Sequence, residues 1–381
     1  MKKIAIVRGK FLNRYEMQLF EPLVSRYDLT AFGSLSPFHD RFAFPVVKLP
    51  SPMDLPQFPY KMPILNRLFV DAQYLFGLEE RLRGFDLVHT AETYFRYTQQ
   101  CLDAKRRGIV RRVIATSYDN IPFNNEGIWG RKNYKKRART ELDHIIAISQ
   151  KAKETLLTEG ADPSKVTVIG HYIDTKRFAP HAHHLTRFSD AKRRDLTILF
   201  VGRLETYKGV LDILDAAAFL ARDSELTHYS FHVLFVGTGS QRGVMLEKER
   251  HIGKNWHFSH ESATYSKMPD YYRKADIFVA PSTPTPTWEE QFNIALLEAQ
   301  ASGLPIVTTR TGSIPENVGR AGVVVPPGNP QALATAIKEF ILKPNKRIAF
   351  ARLARSRALA VHDTALGAAK IADIYERVLS L

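Results

Sequence analysis

Short, continuously apolar runs recur along the chain, and between them apolar residues return every third or fourth position. The runs are KIAIV (3–7), DLTAF (28–32), PVVKL (45–49), DLVHT (86–90), RVIAT (112–116), HIIAIS (144–149) and VTVIG (166–170). They continue as LTILFVG (196–202), HVLFVG (232–237), DIFVA (276–280), PIVTT (305–309) and GVVVP (322–326). Runs without polar alternation predict strands covered on both faces, and the helical spacing between them predicts crossovers, so the expectation is parallel α/β sheets. The series restarts after a polar stretch, HYIDTKRFAPHAHHLTRFSDAKRRD (171–195). That shift divides the chain into two doubly wound halves, expected at 1–175 and 176–360 with a terminal helix over 361–381. His181, His183 and His184 in this stretch read as part of a polar linker. No cysteine or regular ligand spacing accompanies them to suggest a metal.

Composition narrows the class. A chain of 381 residues can bury two cores. The single Cys101 excludes a disulfide scaffold and a multi-cysteine zinc site, and points to a reducing compartment. In MKKIAIVRGK the apolar run stops at Arg8, short of the ~7–15 residues of a signal peptide's apolar region, so it reads as a first strand. No apolar stretch approaches the roughly 20 residues of a spanning helix. The expected address is cytoplasmic, either free or peripheral on the inner face of a membrane. The net charge is +15, with 29 basic against 19 acidic residues among the first 180.

Chemistry gathers in the second half. In TILFVGRLETYKG a strand ends at Gly202 and the following loop carries Arg203 and Lys208. Open α/β sheets bind ligands at the carboxyl ends of their strands. Two fixed cations there suit a diphosphate, or are solvated loop residues. LFVGTGS places Gly237 and Gly239 at a second strand end, where backbone N–H groups can approach a phosphate or the turn simply packs on the sheet. The spacing is not that of a dinucleotide fingerprint, which disfavours a nicotinamide enzyme. In WEEQFNIALLEA, Glu290 and Glu298 stand eight positions apart, within a helical pattern of Phe292, Ile294, Ala295, Leu297 and Ala301. A carboxylate at the edge of an apolar face is costly unless paired. Along a continuous helix eight residues span about 12 Å, a separation that suits a clamp on a nucleotide-sugar.

The order GRLETYKG, VGTGS, APSTPTPTWEEQFNIALLEAQASGLPIVTT resembles the retaining glycosyltransferases of family 4. The likeness extends back through HIIAISQKAKETLLTEGADPSKVTVIGHYIDTKRFAP, and ahead of that segment it is topological only. It implies the GT-B architecture: two Rossmann-like domains facing a cleft, acceptor side first and nucleotide-sugar side second, with the C-terminal helix crossing back. It also implies that Arg203 and Lys208 bind the donor diphosphate, beside Gly202, Gly237 and Gly239. Glu290 would address hydroxyls of the transferred sugar, and Glu298 would be satisfied by ribose hydroxyls. Gln291, Phe292 and Asn293 would begin the helix and turn its N-terminus toward the donor. Asn293 stands where the family usually carries glycine, and its side chain would narrow the sugar pocket.

The first half departs further from the pattern. Its first loop, VRGKFLNRYE, keeps only Gly9, and Glu16 aligns with an acidic residue that often follows. TSYDNIPF replaces a frequent His-Asp, leaving Tyr118 as an acceptor-side group or a buried aromatic. Asp119 joins Arg203, Lys208 and Glu290 as a catalytic candidate. The implied reaction is metal-independent hexosyl transfer from a UDP- or GDP-sugar to a glycan or lipid-linked acceptor in surface polysaccharide synthesis. No further cofactor is expected.

Two other classes compete. An epimerase or phosphorylase on the same architecture would need no acceptor. The charge permits nucleic-acid binding, but no recognition motif accompanies it, so no nucleic-acid partner is expected. The basic surplus concentrates in KRRGIVRR (105–112) and GRKNYKKRART (130–140), beside Ile128, Trp129 and Tyr134. Lys132, Lys135, Lys136 and Arg137 would suit an anionic membrane, or form a solvated basic helix.

Overall fold

Strands form where the apolar runs lie, and all pair in parallel. They are β1 (Lys2–Gly9), β2 (Tyr27–Ser34), β3 (Val46–Leu49), β4 (Leu87–Ala91), β5 (Arg112–Ser117), β6 (His144–Ala147) and β7 (Val166–Val168). The series continues with β8 (Asp195–Val201), β9 (Ser230–Val236), β10 (Trp256–Glu261), β11 (Ile277–Ala280), β12 (Ile306–Thr309) and β13 (Gly322–Val325). This computed structural model describes residues 1–181, 188 and 193–381; His183 and His184 lie outside them. A seven-stranded sheet has the order β3-β2-β1-β4-β5-β6-β7, and a six-stranded sheet β10-β9-β8-β11-β12-β13. Both are doubly wound α/β sheets whose order reverses beside the first strand, between β1 and β4 and between β8 and β11. Crevices for ligands open at such switch points.

The apolar pattern missed β10. Its sequence WHFSHE is mostly polar, because as an edge strand it is covered mainly at Trp256, which stacks on Phe231 at 4.2 Å between ring centroids.

The chain divides into two units, Met1–Tyr172 with Thr364–Leu381, and Ile173–Asp363. The terminal helix Thr364–Ser380 thus belongs with the first sheet. It buries Ala368, Ile371, Ile374, Tyr375 and Val378 in the core that holds Ile4, Ile6, Phe20, Leu87 and Ile114. The Tyr375 hydroxyl lies 2.8 Å from Nδ1 of His89, at the middle of β4. The second unit packs Ile198, Phe200, Val233, Phe235, Ile277 and Val279 against Ile213, Leu214, Leu333 and Ile337. Among the described residues no helix is long and apolar enough to cross a membrane.

Ile371→Ala leaves a cavity in the first core and is expected to lower stability by about 2–5 kcal/mol. Leu366→Ala, on the exposed face of the same helix, should change it by less than about 0.5 kcal/mol. Denaturant titration of both variants checks the difference.

Candidate active site

The residues with the most chemistry meet at the switch point of the second sheet. After β8 the chain turns through Gly202, and the Leu204 N–H donates to the Thr238 carbonyl at 2.9 Å. The two strand-end loops lie on one another. A Cβ on Gly237 would stand 1.9 Å from the Gly202 carbonyl oxygen, and one on Gly239 would stand 2.2 Å from that of Leu204. The GxG in this chain is therefore required by loop packing. The packing fixes where the loop after β8 sends its cations.

Lys208 reaches Glu290, with Nζ 2.7 Å from Oε2 and 3.0 Å from Oε1. The same Oε2 accepts from the Ser282 hydroxyl at 2.8 Å and from Asn293 Nδ2 at 3.3 Å. Trp288 closes one side, with Lys208 Nζ 4.9 Å from its ring and Tyr207 packed on it at 4.4 Å. Arg203 is exposed with its guanidinium 5.1 Å from the Tyr207 ring. Among the described residues it forms no ion pair.

Glu290 is not on the helix. The helix runs Ile294–Ala301, and Gln291 and Phe292 precede it in a turn ended by Asn293 at φ 57° and ψ 85°. A left-handed backbone at this point interrupts the helical pattern. It is a conformation suited to glycine and, among residues with a side chain, best tolerated by asparagine and aspartate. The 12 Å spacing expected from a continuous helix therefore does not apply, and the N–H groups at the helix start belong to Ile294 and its successors. The loop after β12 clamps the turn. Ser313 N donates to the Glu290 carbonyl at 3.0 Å, and a Cβ on Gly312 would lie 1.8 Å from that oxygen. Asn317 Nδ2 donates to the carbonyls of Phe292 and Asn293. Phe292 is buried edge-on against His362.

Glu298 sits within the helix, fully buried, and accepts a 2.6 Å hydrogen bond from the Tyr272 hydroxyl. Within the protein, a tyrosine from helix Met268–Lys274 thus already supplies one donor to this carboxylate, beside the ribose hydroxyls expected for it. Burial pushes its pKa up to about 7, against the opposing pull of the Tyr272 bond and Arg177.

In the first unit Glu16 and Tyr118 come together. Tyr118 donates to Glu16 Oε2 at 2.9 Å, and the buried Arg8 donates to the same oxygen from Nε at 3.2 Å. Tyr118 stacks on His171 at 5.7 Å. These four residues line a small recess with Phe20, Thr116, Ile148 and Ile371. Gly9 ends β1 at φ 55°. Asp119 lies in a different cluster. It accepts from Asn124 at 3.2 Å and faces Lys135 at 3.6 Å, and Lys135 in turn pairs with Glu159 at 2.5 Å. Burial raises the Asp119 pKa. Glu92, which the sequence reading passed over, accepts from Tyr118 N–H at 3.1 Å and holds a left-handed φ of 58° at the end of β4. Burial, followed by the nearby Asp119, pushes its pKa up to about 8.

This network corrects the membrane reading of the basic helix. The Lys135 side chain is 1% exposed and held between carboxylates, so its charge cannot meet lipid. Arg137 is engaged by Asp103 at 2.8 Å and Glu141 at 3.2 Å. Lys132 and Lys136 are exposed.

Two doubly wound units with a cationic strand-end loop and a buried acidic turn define a GT-B type of α/β protein. Family models match both units: "Glycosyltransferase Family 4" over residues 19–177 and "Glycosyl transferases group 1" over 195–343. The chain belongs to the family 4 glycosyltransferases. A D-inositol 3-phosphate glycosyltransferase of Catenulispora acidiphila is 32% identical over 62% of this chain and 56% of its own length. A glycogen synthase of Mycobacterium tuberculosis is 30% identical over 62% and 54%. The chain spans about half the length of the curated relatives it matches. Two solved structures share the fold. Anabaena HepE in complex with UDP superposes with a TM-score of 0.75 at 16% identity, over 99% of this chain and 100% of that one. Sucrose-phosphate synthase from Thermosynechococcus elongatus gives 0.74 at 19% identity, over 100% of both.

The raised Glu298 pKa has a sign that can be checked. The folded state holds this proton more tightly than the unfolded chain, so its contribution is fully present below pH ~4.3 and is lost as pH rises through about 7. Between those limits wild type should lose on the order of 3–4 kcal/mol relative to Glu298→Gln. Stability curves of the two proteins across pH 4–8 measure it.

Proposed function

We propose that the chain is a retaining hexosyltransferase using a nucleoside-diphosphate sugar, with UDP or GDP as the carrier, and a glycan or lipid-linked acceptor. The observation that carries this is the meeting of Lys208, Glu290, Ser282 and Asn293 at the strand-end crevice of the second unit. Lys208 spends two N–H groups on Glu290 and Arg203 forms no ion pair among the described residues, so both retain capacity for a diphosphate. Charge grows on that group as the sugar–phosphate bond breaks, and cations already in place stabilise it without reorganising. The start of helix Ile294–Ala301 adds N–H groups and a positive dipole end. Glu290, fixed by three donors, accepts from sugar hydroxyls, and Glu298 with Tyr272 accepts from the ribose. Glu16 and Tyr118 serve the acceptor side. The acid network at Asp119 and Glu92 supports that side from beneath. The relatives named for transfer to inositol phosphate and for glycogen synthesis, and the UDP bound to HepE, support the donor class. The working place is the cytoplasmic face of a membrane, in surface polysaccharide synthesis.

A thermal-shift screen against UDP, GDP and ADP tests the donor. The matching nucleotide at a hundredfold excess over its dissociation constant should stabilise the protein by about 2.7 kcal/mol, and no response to any of them would contradict the reading. With a donor in hand, Lys208→Ala or Arg203→Ala should lower turnover at saturating donor by at least ~10²-fold. Near-normal rates would place leaving-group stabilisation elsewhere. Sugar release or rearrangement without acceptor would favour a phosphorylase or epimerase.

A further inference from the structure

One helix of the first unit is built inside out. Helix Lys61–Phe69, KMPILNRLF, buries only Lys61 and Leu65. Lys61 turns inward, its amine donating to the carbonyls of Met53 at 3.1 Å and Leu55 at 2.5 Å. Met62, Ile64 and Leu68 are exposed, Leu68 to 70%, and Tyr60 just before the helix to 79%. A helix facing only water would arrange these residues the other way round. Contiguous exposed apolar groups of this size mark an interaction surface.

The surface continues past the helix. A Cβ on Gly130 would stand 2.7 Å from Cγ1 of Val70, and Arg131 pairs with Asp71 at 2.6 Å. The start of the basic helix Arg131–Glu141 therefore adjoins the end of helix Lys61–Phe69. Trp129, immediately before Gly130, is 79% exposed. Phe69, Tyr74 and Phe76 pack as an aromatic cluster alongside, and Phe76 is exposed. Exposed Arg67, Lys132 and Lys136 supply positive charge at this junction. Residues 55–70 contain no aspartate or glutamate.

From this placement we infer that the exposed face of helix Lys61–Phe69, with Trp129 and the cations Arg67, Lys132 and Lys136, docks on an anionic phospholipid surface. Apolar side chains enter the headgroup boundary, Trp and Tyr occupy the interface, and exposed cations meet lipid phosphates. The charge selects this occupant over an acidic protein groove. A bilayer presents apolar and anionic layers together over a broad plane, and this face presents the complementary pair. The inference replaces the buried Lys135 and the engaged Arg137 as the anchor. It stands apart from the donor reading, since it uses no residue of the second unit.

Flotation of the whole protein with phosphatidylglycerol–phosphatidylcholine vesicles, and with phosphatidylcholine alone, tests it at low and high salt. Binding to the anionic vesicles at low salt, weakened at high salt, is expected. Lys132→Gln with Lys136→Gln should reduce partitioning roughly 30-fold, about fivefold per cation. Leu68→Ser with Trp129→Ser, both at exposed positions, should reduce it at least ~10-fold. Failure of wild type to float at low salt overturns the inference, as does undiminished flotation of the Leu68/Trp129 variant. Self-association through these residues, seen by light scattering without vesicle binding, also overturns it and assigns the face to a second copy. A nucleotide thermal shift on the same samples separates the two proposals. Vesicle binding without any nucleotide response supports the membrane face and sinks only the donor assignment.

Discussion

The second unit is organised around a part-buried ammonium–carboxylate pair, Lys208 with Glu290. Neither charge is tolerable in a sheltered site by itself, and the pair repays its desolvation only when further hydrogen bonds satisfy the remaining lone pairs. Here Ser282 and Asn293 complete the carboxylate. Meeting these conditions draws together four segments distant in sequence: the loop after β8, the end of β11, the turn at 288–293 and the loop after β12. The backbone features nearby follow from that convergence. Asn293 adopts its left-handed conformation to bring the turn back toward Lys208, and Gly312 must lack a side chain because the Glu290 carbonyl occupies that space. The result is a partly sheltered cation with capacity in reserve, poised where the sheet reverses its strand order.

Much of this was legible in the sequence, for reasons that also explain what was not. Parallel strands covered on both faces cannot hide their composition, so the apolar runs marked every strand except β10, whose edge position frees it from that requirement. Lys208 and Glu290 were legible because their neighbours form a recognisable order of motifs. The helix boundary was not, since apolar periodicity continues through Gln291–Asn293 while a single left-handed residue ends the helix. Tyr272 was invisible as a partner of Glu298, being 26 residues away in an unremarked helix. The basic helix misled by composition. Six cations in ten positions suggested one charged face, but a helix distributes neighbours around its axis, and Lys135 points into the protein at Glu159.

The buried carboxylates are satisfied in two different ways. Glu290 is matched by a cation in contact, whereas Glu298 and Glu92 are sheltered mainly by burial and hydroxyl or N–H donors, and both are pushed toward neutrality. A buried acid near neutrality can accept or donate as its partner requires. In the first unit Lys132, Lys136 and Arg67 are exposed cations next to an apolar helix face that water alone does not explain.

The central claim is that a nucleoside diphosphate is held at the Lys208–Glu290 crevice. Amide hydrogen exchange with and without the nucleotide that binds measures this location directly. The account predicts slowed exchange in residues 202–209 and 289–298, strongest at the first turn of helix Ile294–Ala301, whose leading N–H groups lie ahead of the helical i to i−4 ladder. Saturating nucleotide that leaves these segments unchanged, while protecting amides only in the first unit, would contradict it.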